Sequence, residues 1–166
     1  MPYIVMAMIL ALTCLDLRTA QAATPYERES LAELPGVVVV IEIITAEAQA
    51  DGLSEEAIRT AVERILQYSG IRILTQSETL KEFYNPRLYV QPNIGKGGPS
   101  YFYNVSLRLI QEVSSARGRQ YTMPATTWQG NTAGIVNNDD LRDVILDVIE
   151  RWTKIFATDF LAVNPR

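Results

Sequence analysis

Acid–base and nucleophilic chemistry near neutral pH draws on histidine, cysteine and carboxylates whose pKa values have been pushed apart. The 166-residue chain has no histidine and one cysteine, Cys14, inside an apolar N-terminal run. Carboxylates therefore carry what catalytic potential there is. Glu42 interrupts the apolar stretch 37–44, and a carboxylate buried there must be paired or neutralised. Arg72 and Arg108 are its candidate partners, and a place on a wet sheet face is the plainer reading. A hydrolase built on this chain would use Glu42 and Asp159, with no group suited to proton transfer at neutral pH. The adjacent pairs Glu55 and Glu56, and Asp139 and Asp140, stand at predicted helix starts, where negative charge is favourable for structural reasons.

Gly95-Lys96-Gly97-Gly98 offers backbone amides of the kind that cradle phosphate. A P-loop, however, needs GxxxxGK[ST] between a strand and a helix. These four residues join two predicted strands and read as a flexible hairpin tip. No cofactor fingerprint or metal-ligand spacing is present, so no cofactor is expected.

Tyr84, Tyr89, Tyr101, Phe102, Tyr103 and Tyr121 make the middle of the chain aromatic. Such residues pack well on a half-buried pleat, and they also form stacking platforms for sugars or peptides. Alternation over 101–113 puts Tyr101, Tyr103, Val105, Leu107, Leu109 and Val113 on one face and Asn104, Ser106, Arg108 and Glu112 on the other. Tyr89, Phe102, Asn104 and Arg108 are the candidate interaction surface. Asn104-Val105-Ser106 also matches a glycosylation sequon, within the predicted strand.

The elements that position these residues follow from periodicity. The β-branched run 37–44 predicts a strand buried on both faces, central in a sheet. Ser54 offers an N-cap to a helix over 54–69, whose apolar positions Ile58, Ala61, Val62, Ile65 and Leu66 share a face and which ends at Gly70. Residues 48–52 before it read as a loop. A short strand at 71–74 follows, giving a parallel crossover, and then a helical turn within 78–83. A strand at 87–90, a loop at 92–100, the long strand 101–113 and a fifth strand within 120–136 complete the sheet, with Gly130 and Gly134 marking a bulge or close backbone approach. Leu141, Val144, Ile145, Val148, Ile149, Trp152, Ile155 and Phe156 then recur at helical spacing up to Asn164-Pro165. The prediction is an α+β two-layer sandwich, β-α-β-β-β-β-α, with a mixed sheet of about five strands and two helices on one face.

The N-terminus has the anatomy of a secretory signal peptide: an apolar run at 3–15 and then the small-residue triplet Ala20-Gln21-Ala22. Cleavage near Ala22 would remove Cys14 and leave about 144 residues without Cys or His. The run is short of the roughly 20 apolar residues of a spanning helix. Lipid attachment at Cys14 is disfavoured by its lead-in, Ala11-Leu12-Thr13. The expected division is a signal peptide at 1–22, a flexible leader at 23–34, and one domain at 35–166. The net charge of −4 argues against nucleic acid or an anionic membrane as the main partner, since both select Lys/Arg-rich surfaces.

Leu34-Pro35-Gly36-Val37, Gly70-Ile71, Leu88-Tyr89-Val90, Thr127-Trp128, Gly134 and the closing pattern of Phe156, Asp159, Phe160, Leu161, Asn164 and Pro165 resemble a family of small exported bacterial proteins of unknown function. In order of elements the chain also resembles the N-terminal domain of the periplasmic protein TolB, whose surfaces dock proteins. That likeness is architectural only. The expectation is a non-enzymatic periplasmic or secreted protein that docks another envelope protein, with a sugar, lipid or peptide binding module on the aromatic face as the alternative. Oligomeric state is open at this level.

Overall fold

The structure of the chain, a computed structural model, describes residues 23–82, 84–115 and 121–165. The segment read as a signal peptide, with Cys14, lies outside the described residues, as does most of the predicted turn at 114–119. The fold is α+β. One four-stranded mixed sheet, in the order β1-β2-β3-β4, is built from β1 (Val38–Ile41), β2 (Arg87–Gly97), β3 (Ser100–Ser114) and β4 (Thr122–Asn137). β1 runs parallel to β2, and the other two pairs are antiparallel. Two long helices, α3 (Glu55–Tyr68) and α5 (Leu141–Val163), pack on each other and on the sheet. Three short helices, α1 (Pro25–Glu29), α2 (Ala46–Ala50) and α4 (Gln76–Thr79), and a 3-10 turn at Asn138–Asp140 complete the described elements.

Local chemistry explains the helix boundaries. Ser54 caps α3 by accepting from the Ala57 N–H, and Gly70 follows the helix at φ +66°, the left-handed geometry that glycine adopts freely. The apolar positions predicted for α3 are all buried: Ile58, Ala61, Val62, Ile65 and Leu66. Ile58, Val62 and Leu66, with Ile145, Val148, Ile149 and Phe156 from α5, form the layer under Leu88, Val90, Val105, Leu107 and Leu109.

Four departures from the sequence reading have physical causes. First, 71–74 is not a full strand: Ile73 makes a single parallel bridge to Val37, on the edge of β1 away from β2. The sheet thus has four strands, and β1 is an edge strand rather than a central one. Second, the β1–β2 ladder ends at Pro92. Glu42 N–H donates to Val90 O at 3.0 Å. The next rung of a parallel ladder would come from the N–H of residue 92, and proline has none. Third, residues 92–100 are not a loop, because β2 and β3 stay in register to Gly97 opposite Ser100. The tip is Gly98-Pro99, with Gly98 at φ +66°, which suits the first corner of a type II′ turn. Fourth, α2 occupies part of the predicted loop at 48–52, with Thr45 as its N-cap.

The flexible leader expected at 23–34 is also corrected. Thr24 and Glu27 form a reciprocal capping box at the start of α1, with Pro25 in the first turn. Leu31 and Leu34 are buried in the core. Asn164, beyond α5, donates to Leu31 O at 2.8 Å and accepts from the Glu33 N–H at 2.8 Å. The segment is held because two leucines three residues apart give it an apolar side to bury.

Candidate interaction face

Alternation along the strands separates two chemistries. On the side of α3 and α5, Leu88, Val90, Tyr101, Val105, Leu107, Leu109 and Trp128 are buried. On the outer face Phe102, Asn104, Gln129, Asn131, Ala133 and Ile135 are exposed, while Tyr89, Gln91, Ser106 and Arg108 are half-buried. The register sets Tyr89 opposite Arg108, Asn93 opposite Asn104, and Gly95 opposite Phe102. Ile135 lies across from Phe102 on the other side. All four residues singled out from sequence, Tyr89, Phe102, Asn104 and Arg108, are therefore on one face.

A polar network sits at its centre. The Arg108 Nη2 donates to Gln91 Oε1 at 2.8 Å, and Gln91 Nε2 donates to Glu42 Oε2 at 2.7 Å. The Ser106 hydroxyl donates to the same Gln91 oxygen at 3.3 Å, and Arg108 lies 3.6 Å from Glu42. Of the two partners considered for Glu42, Arg108 is the one in place; Arg72 instead bonds Glu78. A second ion pair, Arg87 with Glu112 at 3.7 Å, extends the row. The Nε atoms of Arg87 and Arg108 are buried without an acceptor. Toward the hairpin tip the face turns apolar, with Phe102 58% and Ile135 67% exposed. Phe102 lies over Gly97, where a Cβ would sit 2.7 Å from its ring.

Glu42 and Asp159 do not meet. Glu42 belongs to the outer network, whereas Asp159, on α5, is buried and accepts from Trp128 Nε1 at 3.1 Å and Arg28 Nε at 3.0 Å. Asp159 thus ties α1 and β4 to α5. Asp139 and Asp140 stand in the turn that starts α5, where Asp140 occupies the cap position without a side-chain cap bond. Among the described residues no group of three or more Asp, Glu, Cys or His is arranged to hold a metal ion.

Lys96 is committed on the helical side. It pairs with Asp51 at 2.6 Å, and the Tyr101 hydroxyl donates to the same carboxylate oxygen at 2.6 Å. The Lys96 ammonium, and then the Tyr101 hydroxyl, hold Asp51 below its ordinary value of 3.8; the carboxylate in turn raises Lys96. A depressed carboxylate contributes stability that is present above its ordinary pKa and lost as pH falls through the folded value. The hairpin should therefore loosen in acid below about pH 4. Amide exchange at Gly95, Lys96 and Tyr101, followed by NMR, is expected to show this acid step in the native protein and not in Asp51→Asn. An unchanged acid profile in that variant would refute the assignment.

Sequence reasoning missed Gln91, the hinge of the network, and Ile135. The two-residue turn at Gly98-Pro99 was the available signal, since it fixes the register that brings Gln91, Ser106 and Asn131 into line.

No protein-family model and no curated protein matches the chain, and no such match supports the resemblance to the exported family or to TolB. Among solved structures, similarity is found to a PelC dodecamer from Paraburkholderia phytofirmans, with 17% identity, TM-score 0.42, and coverage of 75% of this chain and 91% of that one. A second is a minor lipoprotein from Acinetobacter baumannii, with 11% identity, TM-score 0.34, and coverage of 78% and 94%. Likenesses this distant carry no functional argument. No described helix is long and apolar enough to cross a membrane.

Proposed function

We propose that this chain is an exported, non-enzymatic docking protein whose outer sheet face receives another protein of the cell envelope. One observation carries the reading: Tyr89, Phe102, Asn104 and Arg108 stand together on a face that turns away from α3 and α5. Export rests on the N-terminal apolar run and the Ala20-Gln21-Ala22 triplet. The absence of histidine from the sequence and the separation of Glu42 from Asp159 favour binding over catalysis. Arginine and aromatic side chains are the usual anchors of protein interfaces. Arg108 is held in place by Gln91 and Glu42 before any partner arrives, which lowers the entropy cost of docking.

The test is photo-crosslinking in living source cells, with the probe at Asn104 and, as a control, at Tyr68, which is 95% exposed on α3. An adduct of one defined mass from Asn104, absent from Tyr68 and lost on Arg108→Glu, is the expected result. Equal labelling from both positions, or none from Asn104, overturns it.

A second reading, a small-ligand module on the same face, draws on the unpartnered Nε atoms of Arg87 and Arg108. A sugar, lipid or peptide that raises the melting temperature of the native protein and not of Arg108→Gln would select it.

A further inference from the structure

We infer that the distal half of β4, residues 129–137, pairs edge to edge and antiparallel with the same segment of a second copy of this chain. The inference concerns the rim of the sheet and does not rest on the docking face proposed above, although Gln129, Asn131, Ala133 and Ile135 border both. The two rims are treated differently. Along β1 the outer edge is occupied: Val37 is bridged by Ile73, and Arg59 Nη1 donates to Val39 O at 3.3 Å. At β4 the proximal half is partly covered, with the Ser30 hydroxyl donating to Thr127 O at 3.2 Å, and it carries Pro124 and the irregularity between Trp128 and Thr126.

Beyond that point the protections stop. Among the described residues, only the β3 ladder bonds the backbone of 129–137. The segment Gln-Gly-Asn-Thr-Ala-Gly-Ile-Val-Asn contains no proline and no charged residue. Solitary edge strands are normally blunted by lysine, proline or a bulge, because open N–H and C=O groups recruit another strand. This segment has none of the three.

Its charge selects the occupant. An acidic or basic partner strand would find no opposite charge here, whereas a second copy meets an uncharged strand like itself, with no like-charge repulsion across the pair. Small residues, Gly130, Ala133 and Gly134, keep the approach free of bulk. A twofold axis makes such a contact self-complementary, and it closes at two copies.

The test is the mass in solution, by light scattering, of protein purified from cells expressing the full chain. The native protein is expected at twice the mass of one chain. Asn131→Lys with Ala133→Lys, both exposed, should give a folded monomer with an unchanged circular dichroism spectrum. Thr126→Lys, on the same face of the same strand but in the covered half, should remain dimeric. A native protein that stays monomeric at its highest soluble concentration overturns the inference. So does a dimer that survives in the double variant, or one that Thr126→Lys also dissociates, since the contact would then lie elsewhere.

Discussion

Replacing Trp128 by alanine is expected to cost about 3–5 kcal/mol and to lower the melting temperature by on the order of 10 °C. Trp128 is 1% exposed. Its ring meets Phe156 edge-on at 5.1 Å and Trp152 at 6.5 Å, both at an interplanar angle of 76°. Truncation opens a cavity between β4 and α5 and strips buried Asp159 of the Trp128 donor, leaving Arg28 as its donor among the described residues. Trp128→Phe separates the two losses. It keeps most of the apolar volume and removes the N–H, so its cost should be nearer the roughly 1–3 kcal/mol of an unmet buried acceptor. Urea denaturation followed by circular dichroism reads both. A loss below that of an ordinary surface change in Trp128→Ala would show that the cluster contributes little.

The second large effect comes from adding atoms. A Cβ on Gly130 would lie 2.1 Å from Cε3 and 2.4 Å from Cζ3 of Trp152. The indole has little freedom to retreat, because its Nε1 donates to Thr132 Oγ1 at 3.0 Å and its ring touches Trp128. Gly130→Val is expected to destabilise by about 1–3 kcal/mol or more, the range of overpacked cores, with a change in the near-ultraviolet dichroism of the tryptophans. Native-like stability in this variant would mean that α5 shifts freely over β4, contrary to the packing described.

Much of the fold could be read from the sequence because its patterns are one-sided. The period-2 alternation of β3 assigned Phe102, Asn104 and Arg108 to one face without any knowledge of partners. The apolar stripe of α5 and the capped start of α3 were equally plain. What was lost depended on distant contacts. The run at 37–44 looked central because it is almost continuously apolar and β-branched, yet 71–74 gives it a single bridge on its outer side, and Pro92, fifty residues on, ends its ladder with β2. The glycines at 95 and 97 read as loop, although they belong to a strand whose tip is only two residues long. The segment 23–34 looked polar by composition, but Thr24-Pro25-Tyr26-Glu27 is a recognisable helix start, and the anchoring of Leu31 by Asn164 joins opposite ends of the sequence. At the candidate site, Gln91 was invisible for the same reason: its role exists only when Glu42 and Arg108 flank it.

The bonds between Asn164 and the Leu31 and Glu33 backbone, with the pairing of Arg28 and Asp159, lay the N-terminal stretch of the described chain against α5. A tether fixed to either end would leave from the helical layer. The molecule would then be moored by its back, with Phe102 and Arg108 turned outward toward whatever passes.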